Sequence, residues 1–155
     1  MRLLTCAGAH LCAQPLNRYD ANGVEPLFPF GHGLSYTTFT YGDAAVTGPT
    51  AAEPGYTVSV RLTNSGAVSG SEVAQLYLAF PEAAGEPLKQ LKGIAALSPL
   101  KPGASATVAF TLPRRAFSIW DPEAHAWAAV KGRFTASVGA SSRDLRVAAT
   151  IDVAW

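Results

Sequence analysis

From Thr38 onward, the chain consists of short runs in which hydrophobic residues recur at every second position, separated by turn residues. Successive side chains on a strand point to opposite faces, so this period predicts an antiparallel sheet with one buried face. The clearest run is Tyr56 to Asn64 (YTVSVRLTN), where Tyr56, Val58, Val60 and Leu62 would face a core and Thr57, Ser59, Arg61 and Thr63 would face water. Asn64, Ser65 and Gly66 predict a turn, on the ground that Asn and Gly tolerate positive φ, with a loop running to Gly70. Glu72 to Phe80 (EVAQLYLAF) is nearly continuously apolar, the pattern of a strand in the middle of a sheet. Pro81 to Pro87 is a loop. Leu88 to Leu97 fits either an amphipathic helix or a strand; the interruption at Gly93 and the strand-like neighbours favour a strand with a glycine bulge.

Lys101, Pro102 and Gly103 make a strong turn signal, and Ala106 to Leu112 alternates again. Ala116 to Trp120 and Ala126 to Val130 flank a turn at Asp121, Pro122 and Glu123; Arg133 to Val138 and Leu145 to Val153 complete the series. The expectation is an all-β chain of about seven or eight strands. Its architecture would be a two-sheet antiparallel sandwich of the immunoglobulin or fibronectin type III kind, preceded by an irregular N-terminal extension.

Composition narrows the functional classes. The 155 residues are one domain's worth. Twelve Lys plus Arg against eleven Asp plus Glu leave a net charge of +1, so there is no basic field for nucleic acid to read. No apolar run reaches the roughly 18 residues of a membrane span. Cys6 and Cys12 have no second Cys pair or His pair at zinc spacing, so neither a metal nor another cofactor is expected. The segment Met1 to Gln14 reads either as a weak secretory leader or as a truncated gene start, which leaves the compartment open.

Chemistry finds little footing. Glycoside hydrolysis needs two carboxylates at a set separation, and the eleven here fall mostly in loops and turns. Gly31-His32-Gly33-Leu34-Ser35-Tyr36-Thr37 brings a His near a Ser, but Thr37 stands where a nucleophile elbow has its last glycine and no helix pattern follows. A tight turn is the better reading, and no catalytic residue is assigned. Arg114 and Arg115 read either as interface salt-bridge donors or as solvated, with solvated the better reading.

The most distinctive stretch is Glu25 to Tyr41 (EPLFPFGHGLSYTTFTY), which resembles the junction sequence of glycoside hydrolase family 3, the β-glucosidases and β-xylosidases. The likeness continues through GSEVAQLYL at residues 70–78, LKQLKG at 88–93 (with Ile94 where that family usually has Phe), RAFSIWD at 115–121, Trp127 and VGASSRDL at 138–145. The resemblance implies the fibronectin type III-like domain of such enzymes, a non-catalytic accessory part. Its expected partners are a catalytic (β/α)8 barrel and an α/β sandwich, which in that family hold the nucleophilic Asp and the acid/base Glu. It further implies three stretches: residues 1–16, unmatched; residues 17–36, an aromatic, Pro- and Gly-rich junction; and residues 37–155, the domain proper. Phe28, Phe30, His32 and Tyr36 are the candidate junction residues, as an interdomain anchor or as rings adjacent to a carbohydrate. A free-standing carbohydrate- or protein-binding module is the alternative. Without a partner to pack on, the segment Gln14 to Tyr36 is expected to exchange its amide hydrogens quickly.

Overall fold

The computed structural model describes residues 19–20, 22–49 and 55–155. The expectations for residues 1–16, including both cysteines, lie outside the described residues.

Nine strands are formed among them: β1 (Phe39–Thr47), β2 (Gly55–Asn64), β3 (Gly70–Ala79), β4 (Gln90–Leu100), β5 (Ser105–Pro113), β6 (Ser118–Asp121), β7 (Ala126–Ala129), β8 (Gly132–Gly139) and β9 (Leu145–Val153). Seven of them build the two sheets of a sandwich, ordered β1-β2-β5 and β4-β3-β8-β9. The remaining pair, β6 and β7, makes a separate two-stranded hairpin. That pair matches the two runs expected on either side of the Asp121 turn, and β1 is the strand that takes the count past the seven or eight expected. Every pairing is antiparallel.

Alternation explains the core. Tyr56, Val58, Val60 and Leu62 of β2 are buried, as are Val108, Phe110 and Leu112 of β5. They meet Ala74, Leu76 and Leu78 of β3, Phe134, Ala136 and Val138 of β8, and Ile151 and Val153 of β9. Phe117, from the single turn of 3-10 helix after β5, packs edge-on against Phe134 at 5.1 Å and Tyr56 at 5.4 Å, a geometry that ring quadrupoles favour. Arg114 and Arg115 are exposed but lie over the indoles of Trp155 and Trp127, at 6.0 and 4.4 Å from the ring centres. Among the described residues no helix is long and apolar enough to cross a membrane.

The bulge expected at Gly93 is present, as a register shift where Leu76 and Tyr77 of β3 pair with Gly93 and Leu91 of β4. Gly93 is small for a packing reason: a Cβ there would come within 2.7 Å of the Phe110 ring from the facing sheet. Gly103 takes the left-handed conformation that its turn requires, at φ 74°.

The reason given for the turn at Asn64 needs correcting. Neither Asn64 nor Gly66 has positive φ. Asn64 ends β2 fully buried and acts through its side chain, as shown below.

Candidate functional site: the junction segment and the groove beside it

Strand β3 carries an apolar run longer than one sheet face needs, and the junction segment accounts for it. Ala74, Leu76 and Leu78 face the core, so Gln75 and Tyr77 lie on the opposite, outer face of their sheet. Both are nevertheless buried. Gly31 of the junction, at φ 82°, sits so close over Gln75 that a Cβ would overlap its amide. Glycine is therefore required there for both its conformation and its size. Gln75 in turn donates to the Ala140 carbonyl at 2.9 Å and accepts from the Tyr77 hydroxyl at 2.6 Å.

The segment is fastened at four further points. The Asp20 carboxylate, only 5% exposed, is held between Arg143 Nη2 at 2.8 Å and Lys89 Nζ at 3.3 Å. Arg143 also donates to the Val24 carbonyl at 3.2 Å, and the Ser142 N–H donates to the Phe30 carbonyl at 2.9 Å. At the far end Thr37 Oγ1 donates to Asn64 Oδ1 at 2.7 Å. Burial, and next the charge of Asp20, push the Tyr77 phenol up to about 12. The described backbone between Asp20 and Thr37 is thus tied to the sheet at these points. The ties are charges and backbone groups rather than rings.

The rings themselves point outward. Phe28 is 70% exposed, Phe30 51% and Leu34 96%, and Tyr36 is fully exposed. His32 is exposed and lies 5.5 Å from the Phe28 ring, while its backbone N–H donates to the Pro29 carbonyl. The Ser35 hydroxyl accepts from the Thr37 N–H at 3.3 Å. Among the described residues no hydrogen bond joins it to His32, and no three His, Cys, Asp or Glu side chains converge to hold a metal ion.

Beside the junction lies a groove of about 760 Å³, walled by residues 31–35, β1, the start of β3 and the turn between β8 and β9. One network lines it. The Tyr41 hydroxyl donates to Glu72 Oε1 at 3.1 Å, and the Arg146 guanidinium lies 4.9 Å over the Tyr41 ring. Arg146 also donates through Nε and Nη2 to Asp144 and through Nη1 to the Phe39 carbonyl. These hydrogen bonds hold the Asp144 carboxyl below its ordinary range and the Arg146 guanidinium above its own. Burial, followed by the charge of Glu72, drives the Tyr41 phenol far up. None of these roles is visible in the sequence, since Tyr41, Glu72 and Arg146 lie on three strands and meet only in the fold.

Comparison with known proteins gives these features a context. A fibronectin type III-like domain model matches residues 72–142. A "Probable beta-glucosidase D" of Aspergillus flavus is 42% identical over 149 residues, covering 85% of this chain and 20% of that protein. The crystal structure of a β-D-glucoside glucohydrolase from Trichoderma reesei superposes with a TM-score of 0.82 at 37% identity, over 99% of this chain and 24% of that one. The structure of a GH3 β-glucosidase from Bifidobacterium adolescentis gives 0.82 at 35% identity, over 88% and 20%. The chain spans about a fifth of the length of the relatives it matches. It is accordingly a fibronectin type III-like domain of the kind carried by β-glucosidases of glycoside hydrolase family 3.

Proposed function

We propose that this chain is a non-catalytic accessory domain of a β-glucosidase-type glycoside hydrolase. Residues 17–36 serve as its junction and residues 37–155 as its body, and the junction rings pack on the catalytic domains. The observation that carries this reading is the outward set Phe28, Phe30, Leu34 and Tyr36 on a backbone tied down at Asp20, Gly31 and Thr37. Large apolar side chains left exposed together on one short segment are what an interaction surface presents. Rings held on a fixed track lose little further entropy when they dock. The likeness to β-glucosidases roughly five times as long supplies the class of partner.

The reading assigns hydrolysis of O-glycosyl bonds to the larger enzyme and none to this chain. Release of nitrophenol from an aryl β-glucoside by the purified chain tests it. No turnover is expected, whereas turnover that disappears on replacing one of this chain's own residues would overturn the assignment.

A further inference from the structure

The β6–β7 hairpin presents a second surface. It leaves the sandwich after Pro113, which pairs with Gly55, and rejoins it at Gly132, which pairs with Val153. The junction ties at Ser142 and Thr37 lie at the other end of these strands. Trp120 and Trp127 face each other across the hairpin, with ring centres 5.6 Å apart and planes at 65°, and both are half-exposed. Arg115 lies over the Trp127 indole and Arg114 over that of Trp155. The Val130 N–H donates to the Phe117 carbonyl, which fastens the hairpin to the 3-10 turn that bears both arginines.

We infer that this hairpin docks an acidic segment of a protein partner, with Arg115 and Arg114 pairing with its carboxylates and Trp120 and Trp127 covering the apolar residues beside them. The guanidinium groups select the partner's charge. A guanidinium lying over an indole uses only its face, and its N–H donors stay in its plane. Among the described residues no hydrogen bond or ion pair engages either one. Each is a fork held in place with its donors open, and a carboxylate is a group that takes two such bonds at once. Holding the side chain beforehand lowers the ordering cost of binding. Lys131, exposed between β7 and β8, adds a third cation. In the turn, Asp121 Oδ1 already accepts from the Glu123 and Ala124 N–H groups, which leaves Glu123 as the acid with an uncommitted side chain.

Other occupants fit this surface less well. Trp120 and Trp127 meet edge to face and Arg115 covers Trp127, so the indoles form no flat platform for a sugar ring. Three cations fall short of the roughly four to eight of a lipid-binding basic cluster, and the hairpin's own turn carries Asp121 and Glu123, which an anionic membrane repels. A free oxyanion would leave the exposed indoles unused. Trp and Arg side by side are instead the residue types that dominate the energy of protein–protein interfaces.

None of the junction residues takes part, so turnover by this chain, which would overturn the accessory-domain reading, would leave the hairpin's role standing. The test is titration of the 15N-labelled chain with the blocked peptide Glu-Leu-Glu-Glu-Leu-Glu, beside Gln-Leu-Gln-Gln-Leu-Gln and phosphatidylserine–phosphatidylcholine vesicles. Saturable shifts are expected at the Trp120 and Trp127 indole N–H groups with the acidic peptide alone, weakening as salt rises. Arg115→Ala removes hydrogen bonds to a charged group and should weaken binding by about tenfold or more. Arg115→Lys keeps the charge and loses the fork, so it should restore only part of that loss. Glu123→Gln, at an exposed turn position, should tighten binding about twofold even if Arg115→Ala loosens the hairpin. No saturable shift with the acidic peptide, equal shifts with the glutamine peptide, shifts with the vesicles alone, shifts confined to Phe28–Tyr36, or affinity unaltered in both Arg115→Ala and Glu123→Gln would each overturn the inference.

Discussion

Replacing Asn64 with Ala removes a side chain whose whole hydrogen-bonding capacity is in use. Its Nδ2 donates to the Val68 and Leu100 carbonyls, both at 2.8 Å, and its Oδ1 accepts from Thr37 Oγ1 at 2.7 Å and from the Gly66 N–H at 3.0 Å. An amide offers two donors and two acceptor sites, so none is left over. A net contribution of about 0.5–1.5 kcal/mol per bond gives roughly 2–6 kcal/mol for four. Some of the freed groups will regain water at the end of the sandwich, which places the expected loss near 3–4 kcal/mol, a large share of a domain's margin of about 5–15. The assay is urea unfolding followed by tryptophan fluorescence. The midpoint should fall while the m-value stays constant, since the surface exposed on unfolding is unchanged. Ser65→Ala, next door, is the control; Ser65 is exposed and shares one surface bond with Thr38, so it should cost under about 0.5 kcal/mol. A loss below about 1 kcal/mol for Asn64→Ala would refute the view that this amide pins the junction to the sandwich.

Three further outcomes follow from the same geometry. Asp20→Asn should leave the global unfolding midpoint little changed but speed amide exchange across residues 22–31, because it releases Arg143 and Lys89 from a local tie; unchanged exchange there would count against the clamp. Gly93→Ala should cost about 1–3 kcal/mol by forcing the Phe110 ring aside, and pairing it with Phe110→Leu should recover part of that loss in a double-mutant cycle. Tyr77 has a folded pKa of about 12 against an ordinary 10.0, so its contribution of roughly 2–3 kcal/mol is present in full below pH 10 and is lost as pH rises toward 12. Alkaline denaturation of Tyr77→Phe should lack that decline, apart from a pH-independent offset from the lost bond to Gln75.

The sandwich was legible because its signal is local. Tyr56, Val58, Val60 and Leu62 alternate within one strand, and each is buried by the sheet that the alternation implies. The run Ala74 to Leu78 correctly indicated a central strand, but its sequence does not say what covers the second face. That cover is the junction, and the contact depends on Gly31 meeting Gln75 across more than forty residues of chain. Asn64 shows the opposite difficulty: its residue type signals a turn, while its role comes from the junction at Thr37, the β2–β3 loop and the end of β4 converging on one amide. Phe28, Phe30 and Tyr36 were conspicuous as aromatics, yet nothing in the sequence joins Asp20, Arg143 and Lys89, the charges that hold their segment in place. The groove network of Tyr41, Glu72, Asp144 and Arg146 is likewise assembled only by the pairing of distant strands.

The most direct test of the accessory-domain reading is co-expression of this chain with Aspergillus flavus β-glucosidase D from which the matched stretch has been removed, followed by co-purification. The account predicts a stable complex that is lost when Phe28, Phe30 and Tyr36 are together replaced by Ser, while the replaced chain keeps its own unfolding midpoint because those rings face outward. The absence of a complex, or a complex indifferent to the triple replacement, would contradict it.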